Sequence, residues 1–243
     1  MPQYTSPKSD MDRLSFMSRA IKTAAETPLG EPQMLSADLL TELTAHYTAY
    51  RAAYEATQAA LSKRKDETAE SAAAMSHLQM CVSHLWTAVY NRAQRQKLSV
   101  GILGYYKLNS DGTRPTPVRR EDWLEVATSV VAGDVQAVAA GYPAAVNPSA
   151  AEVQAALDTA IAESNDLPAA DMAYDKAQAA VAALRPKADS LIKAVRAAVL
   201  FATYDMDPPS QRRVLRHYGS VYRYLSGEAV DEGDTTAVLE DGV

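Results

Sequence analysis

With one cysteine, Cys81, among 243 residues, the chain cannot form an internal disulfide and gives no sign of an oxidising compartment. Phenylalanine is nearly missing, with 2 residues against 13 tyrosines. Tyrosine rather than phenylalanine therefore supplies the aromatic bulk, keeping a hydroxyl that can reach water or a partner. No run of about 18 apolar residues occurs, which excludes a membrane-spanning helix of ordinary length. The opening MPQYTSPKSD has no apolar core of the kind a signal peptide needs. The expected location is the cytoplasm, with export by a signal-free route as the alternative.

Chemical signatures are missing too. There is no Glu-x-x-His pair for a di-iron bundle, no Walker loop, no G-x-G-x-x-G and no G-x-S-x-G. The four histidines form no nucleophile-and-base pattern. No catalytic residue and no cofactor are expected, and the chain reads as a non-enzyme.

Alanine, roughly a fifth of the chain, is abundant, and it is the strongest helix former because it gives up no side-chain entropy. Ser9 or Asp10 caps a first helix that should run to about Glu26 and end at Thr27-Pro28-Leu29-Gly30. From Pro32 to Gly101 there is neither Gly nor Pro. Leu40, Leu43, Tyr47, Tyr50, Tyr54, Thr57 and Leu61 alternate at spacings of three and four, and Met75, Leu78, Val82, Leu85 and Val89 continue in the same heptad phase. A turn between the two stripes has no reason to preserve that phase. One helix over about 36–95, some 80–90 Å long, is favoured over a hairpin near Lys63–Glu67. Farther on, short helices are expected over about Arg120–Ala132 and from there to Gly141. A capping box at Ser149 and Glu152 starts the next helix, Asn165–Pro168 interrupts it, and a last long helix over about Ala169–Tyr204 is expected to kink or restart at Pro186.

AYEATQAAL at 53–61 and AYDKAQAAV at 173–181 are nearly the same text. Asp12-Arg-Leu14 likewise pairs with Asp122-Trp-Leu124. Gln94-Arg95-x-x-Leu98 pairs with Gln211-Arg212-x-x-Leu215, and Tyr105-x-x-Leu108 with Tyr222-x-x-Leu225. Their common order suggests a tandem duplication. The expected fold is all-α, a tandem-duplicated bundle with long coiled-coil-like helices. Its expected organisation is a first helical unit at 1–108, a Gly/Pro-rich linker at 109–119, a second unit at 120–225 and an acidic tail at 226–243.

The first half also resembles a loose group of bacterial proteins, some described as fibronectin-type-III-containing. In them an alanine-rich helical region ends in an L-G segment followed by T-x-T-P; the matching residues are Leu103-Gly104 and the stretch Thr113 to Pro117. The resemblance reaches at most residues 8–118, includes no fibronectin-type strands in this chain and implies no activity.

Two clusters merit attention. His77, Cys81 and His84 share a helix face, but one helix rarely supplies more than two ligands to a metal, and Cys81 packs equally well as a small apolar residue. No metal is expected. Arg212, Arg213, Arg216, His217 and Arg223 are interleaved with Tyr218, Tyr222 and Tyr224, and directly precede the tail acids Glu228, Asp231, Glu232, Asp234, Glu240 and Asp241. Those six acids account for the whole excess of 30 acids over 24 bases, leaving a neutral body that disfavours nucleic acid as a partner. The cluster is read as a dock for the acidic tail or a partner. The expected function is a structural protein that assembles with itself into a homo-oligomer or filament. The alternative is a helical adaptor whose Arg/Tyr cluster binds nucleic acid or a phosphorylated partner.

Overall fold

The structure is a computed structural model that describes residues 2–27 and 33–224. Among these residues it is all-α, with six helices and one two-stranded ribbon. Helix α1 (Asp10–Glu26) begins on a capping box: Ser9 Oγ accepts from the Asp12 amide at 3.1 Å, and the Asp12 carboxylate accepts from the Ser9 amide at 3.0 Å. Helix α2 (Ala37–Gln96) runs unbroken for 60 residues, as the shared phase of its two apolar stripes implies. Leu43, Tyr50, Ser71, Leu78 and Leu85 are buried at seven-residue multiples along it. At one polar frame position Arg64 reaches Asp171 at 2.5 Å and lies over the Tyr174 ring, so the stripe continues there through partnered polar groups.

Helix α3 (Gly101–Tyr105) is short. Helix α4 (Arg120–Ala139) is one helix rather than the expected two. Gly133 is interior to it because α3 lies so close that a Cβ there would meet the Tyr105 carbonyl oxygen at 1.7 Å. Helix α5 (Ala150–Ala202) also corrects the expectation: it passes through both Pro168 and Pro186 without interruption. Both prolines lie on the exposed face, where water can satisfy the carbonyls each leaves unpaired. Helix α6 (Pro208–His217) is capped by Asp207 with Pro at its first position. Strands β1 (Gln3–Thr5) and β2 (Val221–Arg223) pair antiparallel, Tyr4 opposite Tyr222.

The chain divides into two compact units that cut across its sequence halves. One comprises Met1–Ala59 with Asp175–Val243, the other Ala60–Tyr174. In the first, the beginning of α2 meets the end of α5 antiparallel: Lys187 pairs with Glu42, and His46 Nε2 lies 3.1 Å from the Leu184 carbonyl. Its core joins Met17 and Phe16 of α1 to Leu43 and Tyr50 of α2, Ile192 and Val195 of α5, and Leu215 of α6. In the second unit Val82, Leu85 and Trp86 of α2 pack with Leu103, Val130 of α4 and Val153 of α5. Segment 109–119, expected to link domains, lies inside this second unit, where Gly112 sits against the Tyr90 ring and Arg114 donates to Thr87 Oγ1 at 2.9 Å.

Burial recurs along the sequence at a spacing of 110. Leu43 and Val153, Tyr50 and Ala160, Ser71 and Val181, Val82 and Ile192, Leu85 and Val195, and Val89 and Val199 are buried alike. Asp12 and Asp122, also 110 apart, occupy the same capping position in α1 and α4. The nine-residue match at 120 falls ten residues outside this register. The Gln-Arg pairs differ in setting, since Gln94-Arg95 ends α2 whereas Gln211-Arg212 lies inside α6.

Candidate functional site

The Arg/Tyr cluster is largely spent within its own unit. Tyr218 is 3% exposed and belongs to the core, so it is not a docking aromatic; burial pushes its phenol pKa upward. Arg216 lies 5.4 Å from the Tyr222 ring centre and 5.7 Å from that of Tyr224, whose hydroxyl accepts from it. Tyr222 meets Tyr4 edge-on at 6.2 Å, and the Arg196 guanidinium stacks 3.5 Å over Tyr4. Arg196, Tyr4, Tyr222, Arg216 and Tyr224 thus form one cation–π and ring series that ties the β ribbon to α5 and α6. Arg212 is half-buried, whereas Arg213 and Arg223 are exposed. The tail residues Glu228, Asp231, Glu232, Asp234, Glu240 and Asp241 lie outside the described residues. Tyr4 and Arg196 were not singled out from the sequence; nothing local marks residues brought together only by the pairing of β1 with β2.

A second polar group anchors α1. Arg185 donates to both Asp10 carboxylate oxygens at 2.8 and 2.9 Å, and Tyr50 donates to Asp10 Oδ1 at 2.6 Å. The Arg185 hydrogen bonds, with that of Tyr50, hold the Asp10 carboxyl below the usual carboxylate range despite partial burial. Arg13 forks onto Asp189 at 2.8 and 3.2 Å. These contacts fix helices, and Asp189 also borders a cleft of about 420 Å³ that Tyr4, Lys193 and Arg196 line.

His77 Nε2 comes within 3.6 Å of Cys81 Sγ, while His84 is exposed and does not join them. The thiol is buried, and that burial, followed by the nearby Glu152 charge, pushes its pKa up. Glu67, Glu163 and Asp166 bring carboxylate oxygens within 4.8 Å of one another. These carboxylates are partly exposed, and Lys63 stands 4.0 Å from Glu67.

Three surface features remain. At the end of α5 and in the turn after it, Phe201 is 87% exposed and Tyr204 81%, with Met206 also exposed. A mostly apolar groove of about 400 Å³ lies between α1 and α2, walled by Met11, Leu14, Tyr47 and Tyr54 with the Arg51–Glu55 pair at its rim. A more polar cleft of about 490 Å³ opens between α3 and α4, lined by Gly101, Gly104, Tyr105, Lys107, Ser129, Gly133, Gln136 and Tyr142. Sequence reasoning missed all three: a groove is made by two helices, and an exposed Phe at helical spacing reads as core. No family model, no curated protein and no solved structure matches the chain.

Proposed function

We propose that the protein is a non-enzymatic structural protein that assembles with copies of itself, the Phe201–Tyr204 projection of one copy entering the α1–α2 groove of the next. The observation that carries this reading is the near-complete exposure of Phe201 and Tyr204 beside each other. Scattered exposed apolar residues are ordinary, but two large ones in one turn mark a surface meant to be covered. The positions 110 residues earlier, Asn91 and Gln94, are polar, so the projection is particular to this end of α5. Contact between two different patches is heterologous, which generates a ring or an open filament. Among the groove walls, Leu14 is 7% exposed and already packed, whereas Met11 is 56% exposed and ready to be covered.

The proposal also takes the two halves as copies of one unit, supported by burial recurring at 110 and by the order of leading helix, long helix and short helix found twice. The adaptor reading has less support, because Tyr218 is core and Tyr222 and Arg216 are engaged internally. Size-exclusion chromatography with light scattering tests the proposal. The wild type should exceed the mass of one chain, and Phe201→Ser with Tyr204→Ser should return it to a monomer of unchanged circular dichroism. A wild type that stays monomeric at high concentration would refute it.

A further inference from the structure

We infer that the α3–α4 cleft is a binding site for a small hydroxylated anion, a sugar acid or a sugar phosphate. Its volume, about 490 Å³, falls in the range of small-molecule sites. Five side chains converge on it: Tyr105, Lys107, Ser129, Gln136 and Tyr142. Among the described residues none of the five makes a side-chain hydrogen bond or ion pair within the protein, so their donors and acceptors are all unspent.

The lining also specifies the chemistry. Among the described residues that line it, Lys107 is the single charged one and none is a carboxylate. A cationic ligand finds no partner there, and a polyanion finds one cation for several charges. The neutral groups are hydroxyls and an amide, which both donate and accept, as the hydroxyls of a sugar do. The Tyr105 and Tyr142 rings, tilted at 58° with centres 6.1 Å apart, offer faces to the C–H side of a small ring.

The turn after α3 brings Lys107 to the cleft. The amide of Lys107 bonds to the Gly104 carbonyl and that of Leu108 to Leu103; in the turn after α6, Gly219 bonds to Arg216 and Ser220 to Leu215 in the same pattern. Position 219 is a glycine at φ 96°, the residue such backbone favours, whereas position 107 holds a lysine at φ 61°. Lys97, after α2, has similar backbone at φ 52°, so the conformation alone marks no site; what sets Lys107 apart is that it borders the cleft.

The test uses the full chain and follows the amide resonances of Gly101, Gly104 and Gly133 by NMR while glucuronate, glucose 6-phosphate or neutral glucose is added. Either anion should cause saturable shifts at millimolar concentration or below, with glucose at least tenfold weaker; whichever anion binds more tightly tells a carboxylate from a phosphate ligand. Two variants separate the site from the fold. A Cβ at Gly104 meets nothing within 4 Å, so Gly104→Phe should fold normally, by circular dichroism, and abolish binding by filling the cleft. Lys107→Gly should keep or raise the melting temperature while weakening anion binding at least tenfold. The inference is overturned if neither anion shifts these resonances at 10 mM, if binding survives in Gly104→Phe, or if glucose binds as tightly as the anions.

Discussion

A Cβ placed on Gly133 would lie 1.7 Å from the Tyr105 carbonyl oxygen, whereas one on Gly104 has open space around it. The two glycines border one cleft and should respond to alanine in opposite directions. Gly133→Ala must push α3 from α4 and should cost about 3 kcal/mol in chemical denaturation. Gly104→Ala should be neutral or stabilise by up to about 1 kcal/mol, since it adds helix propensity without a clash. Asp10 yields a pH prediction. The Arg185 and Tyr50 hydrogen bonds depress its folded-state pKa below that of the unfolded chain. Its stabilising contribution is therefore fully present above the unfolded value and lost as pH falls below about 4 towards the folded value. Arg185→Met should lower stability at neutral pH and flatten the decline below about pH 4, measured by denaturant midpoints at successive pH values. An unchanged acid profile would show that another carboxylate dominates it.

Among the elements, α2 tests the physics of an uninterrupted helix most clearly. Thr68 lies inside it and bonds back to the Arg64 carbonyl at 2.7 Å. Thr68→Pro should cost at least about 3 kcal/mol, while unchanged stability would mean that the helix breaks near that point. Pro186→Ala should stabilise α5 by about 1–3 kcal/mol, because the helix already passes through that position without the amide hydrogen bond. These elements also explain what was legible in the sequence. The phase shared by Leu43, Tyr50, Leu78 and Leu85 made α2 readable, and Ser9 and Ser149 made two helix starts readable, because these signals are local. Pro168 and Pro186 misled because an exposed proline in a long packed helix loses one bond while its neighbours Ala170, Val181 and Ala188 remain buried. The ribbon of Gln3–Thr5 with Val221–Arg223 was illegible, since three-residue strands carry no period and the pairing spans nearly the whole chain. Tyr218 was misjudged for a related reason: its neighbours Arg216 and Arg223 are polar, and only the packing of α1 against α6 encloses it.

For the whole molecule, the central claim is self-association through one exposed apolar projection. Exposed apolar side chains of this size become hot spots when covered, so losing the Phe201 ring should cost about 2 kcal/mol of association, roughly thirtyfold in Kd. The charge distribution acts in a second way. The six tail acids supply the entire net charge of −6, so like-charged tails gathered in an assembly should repel one another unless a basic surface such as exposed Arg213 and Arg223 receives them. The most direct test is sedimentation equilibrium of the full chain over a wide concentration range, beside Phe201→Ser with Tyr204→Ser. The proposal predicts a wild-type mass that rises with concentration above 26.2 kDa, while the double variant holds at one chain's mass with the same helical content. A wild type at 26.2 kDa throughout, or a double variant that assembles equally well, would contradict it.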